Sequence, residues 1–174
     1  MRNPDAERQK PIAFFDSGVG GLTVLSAAVR ALPQENFIYF GDTANAPYGS
    51  RPKEEVRGLS VRVADMLVRR GCKALVVACN TATSAAVDLL REILPVPVIG
   101  MEPALKPALA KGGKILVMAT PLTLREEKFR DLCDRYIAGW EDIQVLPCPG
   151  LVELIERGKI EGPEMDSALQ QLFC

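Results

Sequence analysis

Ala74-Leu75-Val76-Val77-Ala78-Cys79-Asn80-Thr81-Ala82-Thr83 passes from a short, wholly apolar run straight into residues of helical spacing. Five apolar residues bounded in this way predict a buried strand, and the spacing from Thr81 to Leu94 predicts the helix that follows it. The junction places a thiol, Cys79, at the end of the strand and the start of the helix.

The same alternation extends outward in both directions. Apolar runs at Ile12–Phe15, Phe37–Phe40, Val96–Ile99, Ile115–Met118 and Ile143–Leu146 read as further strands. Helical spacing covers 22–32, 53–70, 103–111, 124–136 and a shorter stretch at 151–157. Strands alternating with helices imply βαβ units, so the expected fold is α/β: a parallel sheet flanked by helices on both faces. Gly71, Pro95, Gly112 and Gly113 fall at predicted helix ends, where a residue that stops a helix or accepts positive φ is expected. Residues 160–174 read as one more helix, opened by Gly162-Pro163, with no strand after it. A βαβ series that halts on a helix suggests either a chain cut short or a docking helix at its end.

A chain of 174 residues has room for one ordinary domain, or one and a fraction. Its 48% hydrophobic and 25% charged residues are those of a globular protein with a real core. With 21 basic and 22 acidic side chains there is no cationic excess to attract nucleic acid or an anionic membrane, which leaves small-molecule chemistry. No apolar run reaches the ~18 residues of a membrane span, and the opening MRNPDAERQK lacks the apolar core of a signal peptide. Cysteines stand at 72, 79, 133, 148 and 174 with no C-x-x-C pair, and no histidine is present to complete a zinc cluster. Reduced thiols in a cytoplasmic protein fit this pattern.

In an open parallel sheet, ligands gather beyond the carboxyl ends of the strands. Three such junctions carry chemistry. Phe15-Asp16-Ser17-Gly18-Val19-Gly20-Gly21-Leu22-Thr23 joins an acid and a hydroxyl to a glycine-rich turn whose free N–H groups can hold an anion, although its spacing is that of neither a dinucleotide fingerprint nor a P-loop. Plain helix capping by Asp16 and Ser17 is the competing account. Gly41-Asp42-Thr43-Ala44-Asn45-Ala46-Pro47-Tyr48-Gly49-Ser50 can close over a ligand, with Gly49 allowing close backbone approach; a simple turn is the alternative. At the third junction, the positive end of the helix is expected to lower the Cys79 pKa toward neutrality and make the thiol a usable base. A lone cysteine after a strand is more often a small core residue, but the convergence of an acid, a hydroxyl and a capped thiol on one sheet edge favours chemistry. Asn80 and Thr81 can cap the helix or turn to a substrate carboxylate. The other four cysteines have no comparable setting and read as core or surface thiols.

DSGVGGLTV, GDTANAPYG, VVACNTATS and VIGMEPALKPA, in this order, resemble the glutamate racemase signature, within the wider aspartate/glutamate racemase superfamily. The likeness runs from about Pro11 to Leu154 and continues through MATPLTLREEKF and PCPGLVELIERG. The resemblance implies a cofactor-independent enzyme interconverting L- and D-glutamate for peptidoglycan synthesis, with the substrate between two α/β lobes and one cysteine from each lobe facing opposite sides of Cα. It makes Cys79 the first-lobe acid/base, with Asp16 assisting, and makes Asp16, Ser17, Tyr48, Gly49, Asn80 and Thr81 the substrate-holding residues. It leaves the roles of Glu102, Thr120 and Thr123 open. It implies a small-molecule partner, glutamate, with no metal or cofactor, and is compatible with a homo-oligomer.

The resemblance also implies a division into a polar arm over 1–10, a first-lobe core over 11–95, a continuation over 96–148 and a helical segment over 149–174 that begins a truncated remainder. The second cysteine of such enzymes lies in a Gly-Cys-Thr-His-Tyr-Pro stretch, which this histidine-free chain does not contain. Cys174 follows Leu172-Phe173 and is no substitute for it. The chain alone is therefore expected to racemise glutamate poorly or not at all. A non-catalytic amino-acid-binding or interaction module, or a racemase of aspartate or another amino acid, are the alternatives.

Overall fold

The computed structural model describes residues 8–136 and 143–173, so most of the polar arm, and Cys174, lie outside the described residues. Its elements follow in the order β1 (Ile12–Asp16), α1 (Leu22–Ala31), β2 (Phe37–Gly41), α2 (Lys53–Arg69), β3 (Ala74–Val77), α3 (Asn80–Ile93), β4 (Val98–Gly100), α4 (Leu105–Leu109), β5 (Ile115–Ala119), α5 (Pro121–Arg125), α6 (Glu127–Tyr136), β6 (Ile143–Pro147), α7 (Leu151–Glu156) and α8 (Pro163–Phe173). All strand pairs are parallel, as the alternating pattern requires. Among the described residues no helix is long and apolar enough to cross a membrane.

The strands divide into two sheets rather than one continuous sheet. Among the described residues, four strands form the order β2-β1-β3-β4, and β5 pairs with β6. Periodicity identifies a strand but not its neighbour, which is why the separation is absent from the sequence pattern. Val98–Gly100, which the sequence placed in the continuation, is still hydrogen-bonded to the first sheet through β3. The expected helix over 124–136 is also broken: Glu126 is extended, at φ −72° and ψ 140°, between α5 and α6.

The first sheet steps outward from β1 to β2 and then back across to β3 and β4. With right-handed crossovers, the reversal puts α1 on one face and α2 and α3 on the other. Ala13, Phe15, Leu75 and Val77, all fully buried, point to the second of these faces and pack with Val56, Leu67, Val87 and Leu90 of α2 and α3. Burying a side chain of the size of Phe15 or Leu75 contributes about 1.5–3 kcal/mol. Helix α1 has no buried residue, and Leu22 and Val29 stay nearly half exposed. A smaller core of Leu105, Phe129, Leu132, Cys133 and Ile143 lies under the second sheet. Cys72, Cys133 and Cys148 are free and buried, as expected of core thiols. Gly71, Gly112 and Gly113 adopt the positive φ expected where helices stop.

Candidate active site

Strand order decides which residues meet. β1 and β3 are neighbours in register, with Phe15 opposite Val77, and the Ala78 N–H donates to the Phe15 carbonyl at 2.7 Å. The residues just beyond these two strands therefore lie side by side. The Ser17 Oγ comes within 3.4 Å of the Cys79 Sγ, across 62 residues of sequence.

Cys79 itself caps helix α3, so capping, one of the two roles the sequence left open for Asn80 and Thr81, falls to the thiol. Its sulfur accepts the Ala82 N–H at 3.4 Å and its carbonyl accepts the Thr83 N–H at 2.9 Å. Helix α3 starts one residue earlier than predicted as a result. The N–H groups of Asn80 and Thr81 lack intrahelical acceptors, as first-turn groups do, and both residues line the cleft. Thr83 fixes the junction, donating to the Val77 carbonyl at 3.1 Å and accepting the Met101 N–H at 3.0 Å.

The pKa of Cys79 runs opposite to the expectation. Burial pushes the thiol up and the charge of Asp16 pushes it further, outweighing the lowering by the Ser17 and Ala82 hydrogen bonds. The helix start and its donors are present, but a desolvated sulfur facing a carboxylate is a poorer thiolate than one in water. Without a ligand, the group is a thiol at neutral pH.

Asp16 is buried, and its Oδ2 accepts the Gly21 N–H at 2.9 Å. Tyr39 of β2 places its hydroxyl 3.5 Å from the same oxygen and donates to the Gly18 carbonyl at 2.9 Å. Tyr39 was absent from the sequence reading; its signal is a hydroxyl in the otherwise apolar strand FIYFG.

The loop after β2 divides its roles between side chain and backbone. Tyr48 turns its ring into the core, edge-on to Phe15 at 6.1 Å, and its hydroxyl donates to Asp42 at 2.6 Å. Asp42 is held in turn by the Asn45 amide at 2.9 Å. The phenol is thus engaged by the core and by Asp42. Gly49 is needed because a Cβ there would lie 2.5 Å from Thr120, on the loop after β5.

Asp16, Ser17, Tyr48, Gly49, Cys79, Asn80 and Thr81 line a cavity of about 490 Å³, a size usual for small-molecule sites, and it spans both sheets. From the second sheet come Met118, Thr120, Thr123, Cys148 and, at the end of α7, Glu156. Thr81, Thr120 and Thr123 bring their hydroxyls within 3.0 to 3.4 Å of one another, tying the start of α3 to the start of α5. Glu156 accepts the Val19 N–H at 3.2 Å, so a carboxylate already sits on the glycine-rich turn identified as anion-ready. Sequence reasoning missed Glu156 as well; an acid in the last turn of a helix, where the dipole disfavours it, is the available signal. Glu102 lines the cavity but is exposed and makes no contact that assigns it a role.

The lining contains Asp16, Glu102 and Glu156 and, among the described residues, no lysine or arginine. Such a site attracts an ammonium group and must bind carboxylates through neutral donors. A separate hollow of about 230 Å³ between α2, α3 and α6 is lined by charges of both signs, among which Lys53 pairs with Glu126 and Lys128 with Asp88.

Fold and cavity together define an α/β protein with a cleft at the carboxyl ends of parallel strands that is lined by a buried thiol and by acids. The chain belongs to the Asp/Glu/Hydantoin racemase family, whose model matches residues 17–172. It is 56% identical over 166 residues to a glutamate racemase of Clostridium botulinum (strain Okra / Type B1), covering 94% of this chain and 64% of that relative. It is also 56% identical, over 169 residues, to a glutamate racemase of Clostridium acetobutylicum, covering 95% of this chain and 66% of the relative. Among solved structures it resembles the glutamate racemase of Francisella tularensis in complex with D-glutamate, with a TM-score of 0.82 at 30% identity over 94% of this chain and 62% of the other. The chain spans about 64% of the length of such curated relatives.

Proposed function

We propose that this chain carries the first acid/base half of a cofactor-independent glutamate racemase. The observation that carries the reading is the Cys79 sulfur at the head of α3, 3.4 Å from Ser17 and beside Asp16, in a cleft lined by acids and, among the described residues, by no lysine or arginine. Relatives at 56% identity bearing that activity support it. The amino group of glutamate lies toward Asp16, its α-carboxylate takes the free N–H groups of Asn80 and Thr81, and its side-chain carboxylate reaches the backbone of Tyr48 and Gly49. The ammonium offsets the charge of Asp16, the one charged group that raises the Cys79 pKa, so substrate binding itself brings the thiol toward thiolate.

The thiolate then takes the α-proton, leaving the electron pair on Cα, delocalised into the carboxylate and stabilised by the N–H groups that hold it. Inversion requires a second acid on the opposite face. The resemblance assigns that role to a cysteine in a Gly-Cys-Thr-His-Tyr-Pro stretch, and this chain has no histidine. With Cys79 alone, a proton removed from one face returns from solvent to the same face. In the complete enzyme the product D-glutamate supplies peptidoglycan precursors in the cytoplasm.

The test is proton NMR of each glutamate enantiomer in deuterium oxide, with circular dichroism to follow inversion. Deuterium should enter the α-position of one enantiomer, without inversion, and Cys79→Ala should abolish the exchange. Absence of label from both enantiomers, together with no glutamate binding by calorimetry, would sink the reading.

A further inference from the structure

We propose that Tyr39 is a positioning residue, whose hydroxyl pins the turn after β1 through the Gly18 carbonyl and so sets Ser17 against the Cys79 sulfur. The inference rests on the reading of Cys79 as the reactive thiol, but not on the identity of the ligand.

The turn over 17–21 makes two contacts that matter to chemistry: Ser17 meets the sulfur at 3.4 Å and Gly21 donates to the Asp16 carboxylate at 2.9 Å. Between these residues, the Gly18 carbonyl accepts the Tyr39 hydroxyl at 2.9 Å, the shorter of the two contacts that hydroxyl makes. A phenol has one proton to donate, so its main bond is to the turn and its oxygen sits beside Asp16 as a second-choice donor. The packing around this bond has been cleared for it. A Cβ on Gly41 would lie 2.4 Å from the Gly18 oxygen, and a Cβ on Gly21 would lie 2.9 Å from Asp16 and Ala78 and 3.2 Å from the Tyr39 hydroxyl. β2 thus offers the turn a hydroxyl to hold and a bare backbone to rest on, two residues apart on one strand. Burial, then the charge and hydrogen bond of Asp16, then the charges of Glu156 and Cys79 raise the Tyr39 pKa well above the ordinary phenol range, so it remains a donor at any pH at which the chain works. Removing the hydroxyl frees the turn while leaving the ring in place, and Ser17 drifts from the sulfur.

The test follows alkylation of the four buried thiols by iodoacetamide in the 174-residue chain across a range of pH, each site quantified by peptide mass. The ionisable groups around Cys79 are Asp16, Tyr39 and Tyr48, and Tyr39→Phe changes no charge among them below the titration of a phenol. Loss of the Ser17 hydrogen bond, which lowers the thiol pKa, should raise the Cys79 midpoint by roughly half a unit to one unit. Tyr39→Phe should give this shift, Ser17→Ala, which keeps the backbone hydrogen bond of residue 17 to the sulfur, should give a shift in the same direction and no larger, and the double variant should show no change beyond that of Tyr39→Phe. Gly41→Ala, which crowds the same carbonyl from β2, should reproduce it. The midpoints of Cys72 and Cys133, in the two cores, should stay where they are. An unmoved Cys79 midpoint in Tyr39→Phe, additive shifts in the double variant, or equal shifts at Cys72 would overturn the proposal. Because the readout needs no glutamate, failure to bind glutamate would count against the racemase reading alone.

Discussion

Cys79 and Asp16 stand at the carboxyl ends of adjacent strands, and after burial it is the charge of Asp16 that holds the thiol above its ordinary pKa. The two groups therefore oppose each other until a cation enters between them. Replacing Asp16 with asparagine removes the charge at nearly constant volume. The alkylation midpoint of Cys79 should fall while glutamate binding, measured by calorimetry, weakens by at least about tenfold, the ~1.4 kcal/mol scale of one charge-assisted hydrogen bond. A variant in which the midpoint rises, or in which binding tightens, would contradict this arrangement.

The raised Cys79 pKa has a consequence for stability. The folded chain binds the thiol proton more tightly than the unfolded chain, so the contribution is fully present below the ordinary thiol pKa of ~8.5 and is lost as pH rises through the higher folded value. Cys72, Cys133 and Cys148 are raised by burial too and give a common background. Urea denaturation at pH 7, 8, 9 and 10 should show the wild type losing stability with pH more steeply than Cys79→Ala. Parallel slopes would mean that the sulfur is not desolvated in solution.

The same pair marks how far sequence reasoning reaches. Every strand was legible, because apolar runs such as ALVV at β3 are local signals. The partition into two sheets was not, since nothing within Ile115–Ala119 says that its neighbour is Ile143–Pro147 rather than Val98–Gly100. Cys79, Asp16 and Ser17 were found at their junctions, yet the sign of the Cys79 shift was missed. A helix start is visible locally, whereas desolvation and an acid 63 residues away in sequence depend on how β1 and β3 pair. Tyr48 was singled out from its loop, but only packing against Phe15 shows that its ring faces inward.

Tyr48→Phe tests that inward placement. The lost hydroxyl leaves the buried Asp42 with the Asn45 amide as its remaining side-chain donor. A buried hydrogen bond to a charged acceptor contributes about 1.5–3 kcal/mol, and the unfolding free energy should fall by that order. The backbone that faces the cavity is unchanged, so the glutamate affinity per folded molecule should move by less than about threefold, a difference of under ~0.7 kcal/mol. A large loss of affinity with stability intact would place the phenol in the cleft instead.

Gly49→Ala addresses the seam between the two sheets. The added methyl would lie 2.5 Å from the Thr120 Cγ2 and 2.7 Å from its Cβ, and Thr120 is not free to retreat. Its hydroxyl caps α5 through the Thr123 N–H and meets the hydroxyls of Thr81 and Thr123. Overpacking of this kind costs roughly 1–3 kcal/mol. Strain at this contact spreads the Tyr48–Gly49 loop away from Thr120 and widens the cleft, so the variant should lose both stability, by urea denaturation, and glutamate affinity, by calorimetry. Thr120→Ala, which removes the Cγ2 that makes the closest contact, should recover part of the stability lost in Gly49→Ala even though it destabilises the wild type by removing a helix cap. Additive losses in the double variant would show that Gly49 and Thr120 do not touch in solution.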